Sequence, residues 1–217
     1  MVRGSSGHRF LASGRNLVIL SGRQSDRVLT DQELAGVILA ARQMTPPYGR
    51  IVEFLALTGQ RREEVAQLKW DELDEKTRTW TIPGSRTNNK KAHIGHLSEP
   101  AWKVIEGYSA EPYVFGTASG KRFQRFGREK RALDEMCGVV SWRHHDLRRT
   151  IVSGMARLGI PPHVADKILN HQAGTISGVA AVYQRHDFLA ERKEALDLWG
   201  AHPWGFAIAP DGDGISP

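Results

Sequence analysis

Two segments of the sequence place arginine near histidine or glutamate at the spacing of one helical turn. In the segment HHDLRRT, His145 and Arg148 are three positions apart, so in a helix both side chains lie on one face. In the segment TGQRREE, Gly59 permits a tight turn, Arg61 follows it, and Glu64 can hold that arginine from three positions further on. A guanidinium and an imidazole together can bind a phosphate and move a proton. The spacing indicates phosphate chemistry, although each segment alone is more typical of a solvated helix surface.

Two later segments add a histidine and a tyrosine to this set. His171 ends a segment that begins at Pro161 and Pro162, and Tyr183 precedes the last strong helical pattern. A tyrosine hydroxyl, with an ordinary pKa near 10, is a poor nucleophile. Cations placed around a phosphate would assist its attack. Tyr183 is therefore a candidate nucleophile, although a lone tyrosine before a helix is more often a packing residue.

The elements that must position these residues are mainly helices. Caps and apolar periodicity predict helices over Asp31–Ala41, Arg50–Leu57, Arg61–Trp70, Glu99–Tyr108, Phe123–Met136, His145–Leu158, a short stretch after Pro161, and Phe188–Trp199. Residues 71–76 are predicted as a turn, and two strands of a β-ribbon are predicted at Thr77–Ile82 and His93–Leu97, joined by polar residues 85–91. The predicted fold class is α+β, mainly α with a small antiparallel β-sheet.

Composition narrows the classes of protein and partner. The chain has 217 residues and a formal net charge of +6, which favours polyanionic partners but also occurs by chance. With Cys137 as its one cysteine, it can form no internal disulfide and no four-thiolate zinc site, which fits a reducing cytoplasm. No apolar run reaches the roughly 18 residues that a membrane helix needs. We expect a cytoplasmic protein, bacterial or phage-derived, without a membrane span.

The four segments, in this order, resemble the tyrosine recombinase family, and specifically its prophage and genomic-island integrases. TGQRREEVAQLKWDELD is similar to the first-arginine segment of that family, HHDLRRT to its His-x-x-Arg segment, GIPPHVADKILNH to the segment of its second histidine, and VYQRHDFLAERKEALDLW to its nucleophile segment. The similarity extends over roughly residues 27–201. It implies a flexible N-terminal linker or arm over residues 1–27, a DNA breaking-rejoining catalytic domain over 28–201, and a C-terminal tail over 202–217.

The resemblance also implies a function and a role for each residue. In that family the domain recombines DNA at specific sites by cleaving and rejoining strands through a covalent 3′-phosphotyrosine. Carried over to this sequence, Arg61 and Arg148 hold the scissile phosphate and Tyr183 attacks it. His145 acts as acid or base, and His171 donates a hydrogen bond to a phosphate oxygen. The bond energy is kept in the covalent adduct, so the resemblance implies neither a metal nor another cofactor such as ATP.

The predicted β-ribbon departs from the family pattern. Relatives carry a lysine there, as general acid for the leaving 5′-oxygen, and the best register places Asn88 at that position. A neutral amide cannot supply the proton. If the ribbon shifted by two residues relative to Asn88, Lys90 would lie on the same face of the strand, so Lys90 is a better substitute than Lys91. Alternatively, both lysines only contact DNA. The predicted DNA-contacting residues are Arg86, Lys90, Lys91 and Arg149.

Three functions stay open on the sequence. The first is a working site-specific recombinase, and the second is a DNA-binding remnant of an integrase that no longer turns over, which Asn88 suggests. The third is a type IB topoisomerase or telomere resolvase, which would share the chemistry. The expected partner is double-stranded DNA carrying attachment sites, bound as a homo-tetramer, with a monomer or weak oligomer in its absence. The N-terminal domain that relatives carry is expected to be missing through cloning or gene truncation.

Overall fold

A computed structural model describes residues 27–107, 110–171 and 187–202 of the chain. The helices are α1 (Asp31–Gln43), α2 (Tyr48–Thr58), α3 (Arg62–Ala66), α4 (Glu99–Ile105), α5 (Phe126–Cys137), α6 (His144–Arg157), α7 (Pro162–Ile168) and α8 (Leu189–Gly200). The strands are β1 (Leu73–Asp74), β2 (Thr79–Ile82) and β3 (His93–His96), which form one antiparallel sheet in the order β1-β2-β3. The predicted fold class, mainly α with a small antiparallel sheet, is confirmed.

Local signals set the ends of the first two helices. The Thr30 side chain accepts a hydrogen bond from the Glu33 N–H, and the Glu33 carboxylate accepts one from the Thr30 N–H, which is a capping box. Helix α2 ends at Gly59, whose φ of 66° lies in the left-handed region that glycine adopts without strain. The turn at Gly59 therefore forms where the sequence predicted it, directly before Arg61.

The sequence prediction was wrong between Gln67 and Lys76. The predicted helix Arg61–Trp70 ends at Ala66, because Leu68 leaves the helix and its carbonyl accepts a hydrogen bond from the Val114 N–H at 2.9 Å. The predicted turn contains strand β1, in which Leu73 pairs with Trp80 of β2. Both differences arise from pairing with residues outside the segment, namely the next strand for Leu73 and a distant loop for Leu68, which local propensity does not register.

Helix α2 lies at the centre of the core. It packs against α1, α4, α6 and α8, and every residue from Ile51 to Gln60 is buried, which explains why this helix is apolar on nearly all faces. Trp199 of α8 is fully buried, and its Nε1–H donates to the Ala56 carbonyl at 2.9 Å. Within the described ranges, no helix combines the length and the apolar character that crossing a membrane would require.

Candidate functional site

Arg148 lies at the centre of the candidate site. Its side chain projects from α6, is only 3% exposed, and donates from Nη1 to the Gly59 carbonyl and from Nη2 to the Leu169 carbonyl at 2.8 Å. Its Nε–H is buried and has no hydrogen-bond partner in the described part of the chain. The guanidinium is thus fixed between the end of α2 and the end of α7, with a charge that no carboxylate contacts directly there. A buried cation in this state favours an anionic ligand.

Arg61 is held by Glu64, as the sequence predicted. The buried Glu64 carboxylate accepts hydrogen bonds from the Arg61 N–H at 2.9 Å and from Arg61 Nη1 at 3.1 Å. Arg61 Nη2 also contacts the Asn170 carbonyl at 3.5 Å. Burial, and then the positive charge of Arg61, lower the pKa of Arg148 to about 10, while Glu64 opposes this shift. The guanidinium groups of Arg61 and Arg148 repel one another, and an anion placed between them would offset this repulsion.

Two histidines flank the buried guanidinium. His145 is exposed near the start of α6, and His171 follows α7 with its Nδ1 3.7 Å from Asp166 Oδ1. Desolvation and the charge of Arg148 lower the pKa of both imidazoles from their ordinary value. Both rings are therefore neutral at physiological pH, and each can accept a proton or, through its other nitrogen, donate a hydrogen bond.

Two adjacent cavities bring most of the predicted site residues together. The first cavity, of about 620 Å³, is lined among others by Arg61, Asn88, His145 and Arg148. The second, of about 560 Å³, is lined among others by His145, Arg148, Arg149 and His171. The cavities share His145 and Arg148, so these two side chains form the wall between them. An anion bound at Arg148 would therefore be accessible from both cavities.

The turn of the β-ribbon presents Asn88 to the first cavity. The buried Thr87 hydroxyl fixes the turn by hydrogen bonds to the Gly84 carbonyl at 3.1 Å and the Lys91 carbonyl at 2.8 Å. Asn89 Nδ2 donates to Asn170 Oδ1 at 2.8 Å, which joins the turn to the segment before His171. Lys90 and Lys91 are exposed and line neither of the two cavities. A catalytic role for Lys90 stays a prediction.

The two arginines predicted to contact DNA have protein partners as well. Arg86 lines the first cavity, but its guanidinium donates to the Gln67 carbonyl and to the Glu72 carboxylate. Arg149 donates to Asp146 Oδ1 at 2.7 Å. These contacts hold both side chains near the site, and their contact with DNA stays a prediction.

Asn170 lies directly before His171 and was assigned no role from the sequence. Its backbone adopts a φ of 49°, its carbonyl faces Arg61, and its side chain accepts from Asn89. Asparagine is the residue after glycine that most readily adopts this left-handed backbone, so an asparagine directly after a helix is the signal that could have marked it.

Part of the predicted site lies outside the described residues. Tyr183 belongs to residues 172–186, the predicted N-terminal arm lies almost wholly in 1–26, and the predicted tail lies almost wholly in 203–217. Among the described residues, no group of three or more histidine, cysteine, aspartate or glutamate side chains is arranged to hold a metal ion.

Buried neutral histidines beside the site give the fold a pH dependence. Burial, and then the charges of Arg62 and Lys130, lower the pKa of His144 to about 3. Burial, and then Arg192, lower the pKa of His93 to about 4. Both groups titrate near 6.5 when unfolded, so below that pH the unfolded chain binds more protons than the folded one. Their contribution to stability is complete above pH 6.5 and is lost as the pH falls towards 4.

We expect the free energy of unfolding to fall by about 1 kcal/mol per pH unit for each histidine between pH 6.5 and 5. Urea denaturation at several pH values measures this slope. The His144→Gln variant should show a shallower slope than the parent chain, since one of the histidines with a lowered pKa has been removed. Equal unfolding free energies at pH 7 and pH 5 in the parent chain would contradict the assignment.

Comparison with known proteins supplies relatives for this chain. A family model described as "Phage integrase family" matches residues 27–188. The prophage integrase IntF of Escherichia coli strain K12 is 24% identical over 202 residues, covering 89% of this chain and 43% of that protein. The chain therefore spans less than half the length of this curated relative.

Solved structures share the fold. The lambda integrase catalytic core matches with a TM-score of 0.55 at 14% identity, covering 67% of this chain and 95% of that one. A lambda integrase tetramer bound to a Holliday junction matches with a TM-score of 0.56 at 13% identity, covering 70% of this chain and 48% of that one. These likenesses confirm the predicted fold, which is mainly helical with a small antiparallel sheet.

Proposed function

Because this chain belongs to the phage integrase family, we propose that it recombines double-stranded DNA at specific sites through a covalent 3′-phosphotyrosine formed by Tyr183. The observation that carries the proposal is the pair of arginines. Arg148 is buried, and its Nε–H has no hydrogen-bond partner among the described residues. Arg61, held by Glu64, lines the same cavity. Two fixed cations that line the same open cavity fit a phosphodiester that enters from solvent.

The proposed reaction begins with the scissile phosphate between Arg61 and Arg148. The Tyr183 oxygen forms a bond to phosphorus while the bond from phosphorus to the 5′-oxygen breaks, and the neutral His145 takes the phenol proton. Charge increases on the non-bridging oxygens in the transition state, where fixed guanidinium donors stabilise it most. His171 donates a hydrogen bond to one of these oxygens. The 5′-hydroxyl of a partner strand then attacks the phosphotyrosine, so the reaction uses neither ATP nor a metal.

The proposed partners are double-stranded attachment sites and further copies of this chain. The lambda integrase structure noted above is a tetramer on a Holliday junction. By analogy, four copies would assemble on two duplexes, and the isolated chain would be a monomer or weak oligomer in the cytoplasm. Arg86 and Arg149 line the two cavities, Lys90 and Lys91 are exposed on the turn of the β-ribbon, and all four would contact phosphates.

A covalent adduct assay tests the proposal. The 217-residue chain is incubated with duplexes taken from both flanks of its gene, and adducts that survive detergent are resolved by electrophoresis. We expect an adduct with the parent chain and none with Tyr183→Phe. The matched control is Tyr113→Phe, which makes the same change at a residue that lines neither cavity and should keep the adduct.

The outcomes separate the remaining functions. An adduct that persists in Tyr183→Phe would place the nucleophile elsewhere. DNA binding without an adduct on any flanking duplex would favour the DNA-binding remnant. Relaxation of a supercoiled plasmid in the absence of partner DNA would favour a topoisomerase.

A further inference from the structure

The proposed cleavage leaves a 5′-oxygen that must gain a proton, and the residue at the expected position cannot give one. Asn88 lines the first cavity with a neutral amide. The hydrogen bonds of Thr87 and the bond from Asn89 to Asn170 hold the turn in the register that presents Asn88. Bringing Lys90 to the same place would require these bonds to break. The candidate proton donors therefore lie on the other walls of the cavity.

The histidines of this cavity do not meet the requirement. His145 is assigned the proton of the attacking tyrosine in the proposed reaction, so it is not the donor for the 5′-oxygen in the same step. His144 is enclosed by aromatic rings, with Nε2 2.9 Å from the Tyr48 hydroxyl, and its pKa of about 3 leaves it without a proton to release. Arginine side chains are hydrogen-bond donors that do not act as proton donors in proteins, which excludes the arginines of the cavity as the acid.

Lys130 lies on another wall of the first cavity. It projects from α5, and among the lysines that the structure describes it is the one that lines the first cavity. Its side chain is 13% exposed, with Nζ 2.5 Å from Asp134 Oδ1 and 3.8 Å from the centre of the Trp142 ring. Trp142 lies two positions before α6, so this ring contact places the ammonium near the start of the helix that carries His144 and His145.

We propose that Lys130 is the general acid that protonates the leaving 5′-oxygen. The inference rests on the proposed function. Its partner Asp134 lies on the same helix, four positions away, and is 30% exposed, so the proposal requires this ion pair to open when a phosphate enters the cavity. The flexible stem then carries Nζ from Asp134 towards the clamped phosphate. As the bond from phosphorus to the 5′-oxygen breaks, one ammonium proton passes to that oxygen, giving a free 5′-hydroxyl and a neutral amine.

The test compares two substrates that differ in their need for an acid. One has an ordinary phosphodiester at the cleavage site, and the other has sulfur in place of the bridging 5′-oxygen, which leaves as a thiolate without a proton. We expect Lys130→Met to slow adduct formation about a hundredfold or more on the ordinary substrate and to match the parent chain on the sulfur substrate. Lys130→Arg should behave in the same way, because arginine keeps the charge but does not release the proton.

Lys69→Met is the matched control. Lys69 also lies over an aromatic ring, 5.8 Å from the centre of Tyr113, but it does not line the cavity, so this variant should react with both substrates at the parental rate. Thermal unfolding of each variant confirms that it folds. A purely structural role for Lys130 would slow both substrates equally and would overturn the proposal.

Other outcomes also decide the question. If Lys90→Met reacted slowly on the ordinary substrate but at the parental rate on the sulfur substrate, while Lys130→Met reacted at the parental rate on both, the general acid would be Lys90 of the β-ribbon. A parent chain that reacts only with the sulfur substrate has no acid, and Lys130 then has no such role. If the parent chain formed an adduct on neither substrate, the proposed function itself would be refuted, because cleavage of the sulfur substrate requires the nucleophile but no general acid.

Discussion

Replacing Arg148 by lysine is expected to lower the rate of covalent adduct formation by about 10²- to 10³-fold, the usual effect of losing one fixed donor to a transition-state oxyanion. Two of the guanidinium nitrogens bond to the Gly59 and Leu169 carbonyls, and the third, Nε, has no partner within the described ranges and can donate to a ligand. A lysine ammonium has one nitrogen, so it cannot bind both carbonyls and a phosphate in this geometry. The rate is measured with saturating duplex DNA from the gene's flanks.

The control variant lies on the same helix. Arg157→Lys changes an exposed arginine of α6 whose guanidinium pairs with Asp31 at 2.5 Å, and it should react at the parental rate. Fluorescence anisotropy should show that Arg148→Lys still binds duplex DNA, because many other phosphate contacts contribute to affinity. Adduct formation at the parental rate in Arg148→Lys would contradict the proposal that this guanidinium stabilises the transition state.

Replacing Gly154 by alanine is expected to lower the free energy of unfolding by about 2–3 kcal/mol, as overpacking of a rigid core does. A Cβ atom at this position would lie 2.6 Å from Cη2 of Trp199 and nearer still to Cζ3. The indole cannot move aside, since it is fully buried and its Nε1–H is bonded to the Ala56 carbonyl. The clash would separate α6, which carries Arg148, from α8. Urea denaturation measures the difference.

Gly36→Ala is the control for this substitution. Gly36 lies within α1, and a Cβ atom there would meet nothing within 4 Å. The change should therefore raise the free energy of unfolding by about 0.5–1 kcal/mol through helix propensity alone. If Gly154→Ala proved as stable as the parent chain, the close packing of α6 against Trp199 would be refuted.

Features that depend on neighbouring residues were predictable from the sequence. The capping box of Thr30 and Glu33, the turn at Gly59 and the support of Arg61 by Glu64 each need residues no more than three positions apart. One helical turn sets those distances, so residue type and spacing suffice to predict them. The order of the four segments predicted the family, which the match over residues 27–188 bears out.

Features that depend on distant residues were decided by the tertiary structure. Strand β1 exists because Leu73 pairs with Trp80, and α3 ends early because Leu68 bonds to Val114. Each of these contacts replaces a local hydrogen bond by one with a remote segment. Local patterns carry no information on which remote partner is available, and so they predicted a turn and a longer helix instead.

The same distinction holds for the chemistry. The sequence by itself determined which residue types stand one helical turn apart, and therefore that arginine and histidine could act together on a phosphate. Only the tertiary structure decided that Arg148 binds carbonyls 89 and 21 positions away, that Asn89 and Asn170 hold Asn88 at the cavity, and that Lys130 lines the same space. The physical reason is that helix geometry is local, whereas the packing of α6 against α2 and α7, and of α5 against α1, sets which side chains share a cavity.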